Sequence, residues 1–336
     1  MAFHALGIAA RAQMPDPPGQ VVGDEPTVNA AYLFAHMTHA DYGRLYYSVS
    51  VDGLHWQPLN DRKRVSDDYR GHPDICRGHD GRYYLVGNEN DRAPAINFWV
   101  SEDLIAWKQY SSFEPDLNNV PNYPTAIHAI GAPKLYYDAP SKQYLLTWHT
   151  PHEHDRTDLP EPYWVSQRTL YVTSPDLKTF TSPPQRLFDW DMATIDVIIR
   201  REGGKYYAII KDERYTTLDW PTGKTVRICS SDQLLGLYSQ PGPPISPSFR
   251  EAPTLIPAPN GQAWYLYYEQ YPGVSYGLSV SDKLSGTWFQ VSGATYFRDW
   301  DKYELPRTVR HGCMLPVSRA EYDTLVKHFG NGAEVD

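Results

Sequence analysis

Cysteine is scarce in this chain: three in 336 residues, Cys76, Cys229 and Cys313, with no CxxC spacing. That excludes a disulfide framework and a thiolate metal site. The apolar strand contexts of all three mark them as small buried hydrophobes. Basic excess is missing too. Lys and Arg number 31 against 40 Asp and Glu, a net charge of −9, so there is no positive stripe for a nucleic-acid backbone. No run of residues is long and apolar enough to cross a membrane as a helix. The start, MAFHALGIAARAQ, lacks a basic n-region, yet its ARA before Gln13 resembles a cleavage site. Residues 1–28, rich in Pro and Gly, therefore read as a leader, the remnant of a signal peptide, with a secreted or periplasmic location expected.

Aromatic residues are plentiful, with 26 Tyr and 10 Trp. Such rings stack on sugar faces, although most are expected to pack between structural units. The chain also repeats itself. A strand, then Ser-x-Asp-x-Leu or a relative, then an aromatic, occurs as SVDGLHW from Ser50, SEDLIAW from Ser101, SPDLKTF from Ser174, SDQLLGLY from Ser231 and SDKLSGTW from Ser281. The aspartates, Asp52, Asp103, Asp176, Asp232 and Asp282, recur at intervals of 51, 73, 56 and 50 residues. A repeat of about 40–50 residues made of short strands signals a β-propeller with one copy per blade. Five copies predict five four-stranded blades, in one domain spanning residues 29–330.

Between these motifs lies a second element: an inner strand, a hairpin and an aromatic-rich strand. It begins at His72, Ala132, Asp196 and Glu251, with Asp80-Gly81, Gly203-Gly204 and Asn260-Gly261 as turn signals. The first blade, opening at YLFAHM (Tyr32–Met37), lacks this inner strand, which reappears as HGCMLPV from His311. The C-terminal strand is thus expected to pair with the N-terminal blade and close the ring. Ser318 and Glu321 then form a capping box for a short helix ending near Gly330.

Two acids stand in apolar inner-strand surroundings: Asp196 in TIDVII and Glu251 in REAPTL. A buried acid costs several kcal/mol unless it is paired or employed. Two aimed at one axis suit glycosidic bond hydrolysis, in which one carboxyl donates a proton and another group activates water.

These segments, in this order, together with the tail RHGCMLP (310–316) and AEYD (320–323), resemble the five-bladed propellers of glycoside hydrolase family 43. The resemblance runs from about Ala31 to Phe329. It implies an inverting enzyme acting on arabinofuranosides, xylosides or galactofuranosides. The single central pocket of a propeller adds the expectation of exo action, release of a terminal sugar from a polysaccharide or oligosaccharide. By position, Glu251 resembles the general acid and Asp196 the carboxylate that tunes it. The family's base Asp is replaced by His72, and the Glu of its Ala-Pro-Glu by Lys134.

His72 can itself serve as a base, and Asp74 or Glu89 can stand in for it. The alternative is a non-hydrolytic carbohydrate-binding propeller with a degenerate base. Trp148, Trp164 and Trp190, together with Lys134, Arg307 and His311, are the candidates for contact with sugar. His149, His152 and His154 form a cluster read as rim residues and not as a metal site. No cofactor is required, although the resemblance allows a structural ion in the axial channel near His311. The expected partner is a carbohydrate, with neither nucleic acid nor membrane, and the oligomeric state is open.

Overall fold

The computed structural model describes residues 31–121, 123, 129–152, 160–218, 221–271, 275–291 and 303–330. Among these, five antiparallel sheets form the five blades of a propeller. Blade one pairs β1 (Ala31–Thr38), β2 (Tyr46–Ser50) and β3 (Gln57–Pro58) with β19 (Val309–Val317) as its innermost strand. Blade two is β4 (Asp74–Arg77), β5 (Tyr83–Gly87), β6 (Ile96–Ser101) and β7 (Lys108–Phe113). Blade three is β8 (Gly131–Asp138), β9 (Gln143–Pro151), β10 (Gln167–Ser174) and β11 (Gln185–Arg186). Blade four holds β12 (Thr194–Glu202), β13 (Lys205–Asp212) and β14 (Thr225–Ser231). Blade five is β15 (Arg250–Pro257), β16 (Trp264–Gln270), β17 (Ser275–Ser281) and β18 (Phe289–Val291). The inner strands touch one another in the ring order β19, β4, β8, β12, β15 and back to β19.

Closure follows the sequence expectation. β19 runs antiparallel to β1 from Ala31 opposite Val317 to Thr38 opposite Val309. The repeated motif is a turn device. In blades one to three the Asp52, Asp103 and Asp176 carboxylates each accept two backbone N–H groups just beyond them, as Asx turns do. Blade four departs from the expected four strands. Where a fourth would lie, residues 239–247 run SQPGPPISP, and only Ser239, Gly242 and Ile245 donate to β14 carbonyls. The prolines between them have no N–H to offer, so no regular ladder forms.

Tyr and Trp rings fill the wedges between blades. Tyr267 and Trp56 pack between blades five and one, and Tyr84, Tyr144 and Trp148 between blades two and three. Cys229 and Cys313 are buried, Cys76 is half-buried, and all three are free. After β19, α1 of the C-terminal segment (Arg319–Phe329) starts at the Ser318–Glu321 capping box and drops Leu325 and Phe329 onto blade one. The ends of the ring are joined most tightly at Gly312. Its φ is 146°, and a Cβ there would stand 2.1 Å from the Ala35 carbonyl oxygen. Gly312→Ala is expected to lower stability by about 2 kcal/mol or more, read from urea unfolding. An unchanged midpoint would show that the closing strand tolerates a shift.

Candidate active site

Four inner strands open with a β-bulge. The register slips between Gly131 and Lys134 in β8, between Ile195 and Ile198 in β12, between Glu251 and Thr254 in β15, and opposite His36 and Met37 in β19. Each bulge holds a non-glycine residue at positive φ: Ala132 at 38°, Asp196 at 52°, Ala252 at 47° and His311 at 25°. Bulges bend a strand and re-aim its side chains, and strain of this kind gathers at functional sites. The register also corrects the reading of Asp196 and Glu251 as equivalent positions. Asp196 matches Ala252, whereas Glu251 matches Ile195 and lies one residue earlier, directly opposite Glu269.

Glu251 lies among cations. The His311 Nε2 is 3.4 Å from its Oε1, the Arg310 guanidinium 3.5 Å from the same oxygen, and the Lys211 Nζ 3.8 Å from its Oε2. Glu269, fully buried behind it, accepts the Arg310 Nε–H at 2.5 Å and the His311 backbone N–H at 2.9 Å. Burial pushes the Glu251 carboxyl up, but His311 and Lys211 outweigh it and hold the pKa below its usual value. Burial pushes His311 down, and its contacts with Glu251 and Glu269 win, raising it. Both directions favour a Glu251 carboxylate paired with a His311 imidazolium. Behind Lys211, Glu213 pairs with both Lys211 and Lys224, and Lys224 reaches Glu161 at 2.9 Å beside the one-turn helix Pro162–Val165.

Asp196 is the hub of the axis. Its Oδ2 accepts the Ala252 N–H at 3.0 Å, joining blades four and five. Burial pushes its pKa up, yet the groups around it, His311 foremost, then His149 and Lys134, hold it down to about 2. The His72 Nε2 lies 2.8 Å from the Tyr42 hydroxyl, and its ring centroid is 4.4 Å from that of His311. Burial, then His311, lower the His72 pKa well below the ordinary imidazole value, so it stands neutral with its Nδ1 unpartnered. The His149 ring lies against Gly131, where a Cβ would meet its Nε2 at 1.9 Å.

The structure brings His72, Asp196, Glu251 and His311 together. Asp74 it uses elsewhere: deeper in the channel, the carboxylate accepts the Leu135 N–H at 2.8 Å and lies 3.7 Å from Lys134 Nζ. Burial raises its pKa. Lys134 is buried with it and lines a small space of about 10 Å³ together with Asp74, Thr147 and Arg200. Glu89 is exposed.

Two of the three tryptophans leave the sugar-contact list. Trp148, at a β9 position that faces the layer between blades, is buried against Phe113, and Trp190, in the segment between β11 and β12, is buried and stacks on Phe188 at 4.3 Å. Trp164 stays on the rim helix, partly exposed. Arg307 lines a separate depression with Trp56, Arg62 and Glu304 at the outer side of blade one. His152 meets the ring of Tyr123 at 5.6 Å, and His154 lies outside the described residues.

Sequence reasoning missed Asp91, Tyr42, Lys211, Glu269 and Arg310. Burial raises the Asp91 pKa, and it shares the electrostatic field of His149, Asp196 and His311. It sits two residues past Glu89 in GNEND, a run whose two carboxylates look alike without a fold. Glu251, Glu269 and His311 offer donor atoms within 4.8 Å of one another, a spacing that suits a metal ion. The fit fails on charge, because both Glu269 oxygens are engaged and Arg310 and Lys211 already supply the cations.

A family model described as "Probable glycosyl hydrolase domain", glycosyl hydrolase 43-related, matches residues 27–323. No curated protein sequence matches the chain. Among solved structures, an α-L-arabinofuranosidase from Lactobacillus brevis is 14% identical with a TM-score of 0.51, over 66% of this chain and 72% of that one. An exo-β-1,3-galactanase from Phanerochaete chrysosporium, in complex with β-1,3-galactotriose, is 12% identical with a TM-score of 0.50. It matches over 77% of this chain, which spans about half, 53%, of the galactanase chain. At these identities the likeness is one of fold.

The ion pair makes a prediction of its own. In His311→Asn the imidazolium that favours ionised Glu251 is gone and the burial cost remains. The Glu251 carboxyl, followed by ¹³C NMR, is expected to titrate at higher pH than in the parent. A titration that does not move would dissolve the pair.

Proposed function

The chain belongs to the glycosyl hydrolase 43-related family, and from that premise we propose an exo-acting, inverting glycosidase. Its substrate in this reading is a terminal furanose or pentose on a polysaccharide or oligosaccharide: arabinofuranose, xylose or galactofuranose. The observation that carries it is the meeting of Asp196, Glu251 and His72, from three blades, at one axis beside His311. One pocket where five strands start suits a chain end better than the middle of a polymer. The neighbours' names cover arabinofuranose and galactose chemistry, so galactosides join the first substrate panel. Acting on such polymers, the enzyme would work outside the cytoplasm.

In this reading Glu251 and His311 hold one proton between them. His311 carries it at rest, and Glu251 delivers it to the glycosidic oxygen as the bond breaks. Asp196 raises the pKa of both partners, which keeps that proton bound toward higher pH. The opposite face of the sugar needs a base. His72 and Asp91 are the buried candidates, the first neutral and the second a carboxyl group of raised pKa, and Glu89 is an exposed third.

A second reading draws on the depressed basicity of His72 and the ionised state of Glu251: a propeller that binds carbohydrate without cleaving it. Turnover of any chromogenic arabinofuranoside, xyloside, galactofuranoside or galactoside supports the enzyme. Binding without turnover supports the second reading.

Glu251→Gln is expected to cut kcat by about 10²–10⁴-fold on glycosides with poor leaving groups, and far less on activated aryl glycosides. Equal losses on both would remove Glu251 from the acid role. Asp196→Asn is expected to move the basic limb of the pH–rate profile downward, because the anion that holds the proton is gone. For the base, azide is expected to rescue only one of His72→Ala, Asp91→Asn and Glu89→Gln. Normal turnover in all three would end the assignment.

A further inference from the structure

Phe249 stands one residue before β15 with 46% of its surface exposed. Its φ is 56°, a left-handed conformation that a bulky side chain seldom adopts. Two backbone bonds fix it there. Tyr271 N–H donates to the Phe249 carbonyl at 3.2 Å, and Arg250 N–H donates to the Lys224 carbonyl at 3.2 Å. The phenyl ring meets Tyr271 edge to face, with centroids 5.9 Å apart and planes at 72°. Lys211 Nζ lies 4.5 Å from the Tyr271 ring centroid and 3.8 Å from Glu251. A line of contacts therefore leads from the buried carboxylate outward to an exposed ring. A strained, half-exposed phenyl adds little to the core, so its fixed position calls for another use.

We infer that Phe249, backed by Tyr271, is the platform for the sugar on the leaving side of the scissile bond. The inference rests on the glycosidase reading of Glu251. An acid protonates the oxygen shared by two sugars. One sugar fills the axial pocket, and the departing one lies outward, alongside the strand that carries the acid. The C–H face of a pyranose or furanose ring stacks on an aromatic surface without needing a fixed linkage. The same platform thus accepts different leaving sugars, whereas the axial ring selects the sugar released.

The test is calorimetric and uses Glu251→Gln as the parent, so that ligands stay intact. Galactose and β-1,3-galactobiose, and arabinose and an arabinofuranobiose, are titrated into it and into the double variant with Phe249→Ala. The expected result is about tenfold weaker disaccharide binding with monosaccharide binding unchanged. Phe249→Trp should keep or tighten disaccharide binding, and both variants should melt with the parent. Equal losses for both ligand sizes, or no loss for either, would overturn the platform, as would a parent that binds none of the four sugars. Selective loss in a protein whose wild type cleaves no glycoside would keep the platform and defeat the glycosidase reading.

Discussion

The pairing of β19 with β1 is the contact on which the molecule depends. It supplies the innermost strand of the first blade and joins the two ends of the ring. It also delivers Arg310 and His311 to the axis, opposite carboxylates that come from blade five. The bulge at His311 and the close approach of Gly312 to Ala35 fix the angle at which they arrive. Closure and site assembly are one event, because the last strand carries both.

The charges at the axis follow from that geometry. A buried carboxylate left alone costs several kcal/mol, and removing one partner of a buried pair costs about 3–5 kcal/mol. Glu269 is satisfied by Arg310 and His311, Glu251 by His311, Arg310 and Lys211, and Lys211 in turn by Glu213. Apart from Lys211 and Glu213, two residues apart in blade four, these ions draw their partners from another strand or another blade. The network stabilises one arrangement of the ring, and the same network decides which group holds a proton. Stability and acid–base chemistry cannot be adjusted independently here.

Much of this was legible in the sequence. The five Ser/Asp motifs spaced the blades, and in blades one to three each is a local turn in which the Asp carboxylate bonds N–H groups of the residues just beyond it. The orphan HGCMLPV strand announced closure because the first blade lacked a partner. Asp196 and Glu251 stood out as acids inside apolar runs. What stayed hidden depends on distance across the ring. Trp148 and Trp190 look like sugar-binding residues until the fold packs both into the apolar clusters between blades. Asp74 shares its strand face with the axis but is consumed by the next blade through Leu135. Glu269 and Lys211 sit in unremarkable strand text, Arg310 stands out only as part of a tail, and all three acquire their role from their partners. The one-residue offset between Asp196 and Glu251 is a property of bulges, which leave no mark in composition.

Blade four ends differently from its neighbours, and the difference reaches beyond the fold. A regular outer strand presents a row of free N–H and C=O groups that another chain can extend. At the rim of blade four that row is broken by Pro241, Pro243, Pro244 and Pro247. The segment covers β14 with three donors and offers an incoming strand almost none. Crowded propellers therefore meet an edge there that will not zip, a built-in guard against sheet-to-sheet aggregation.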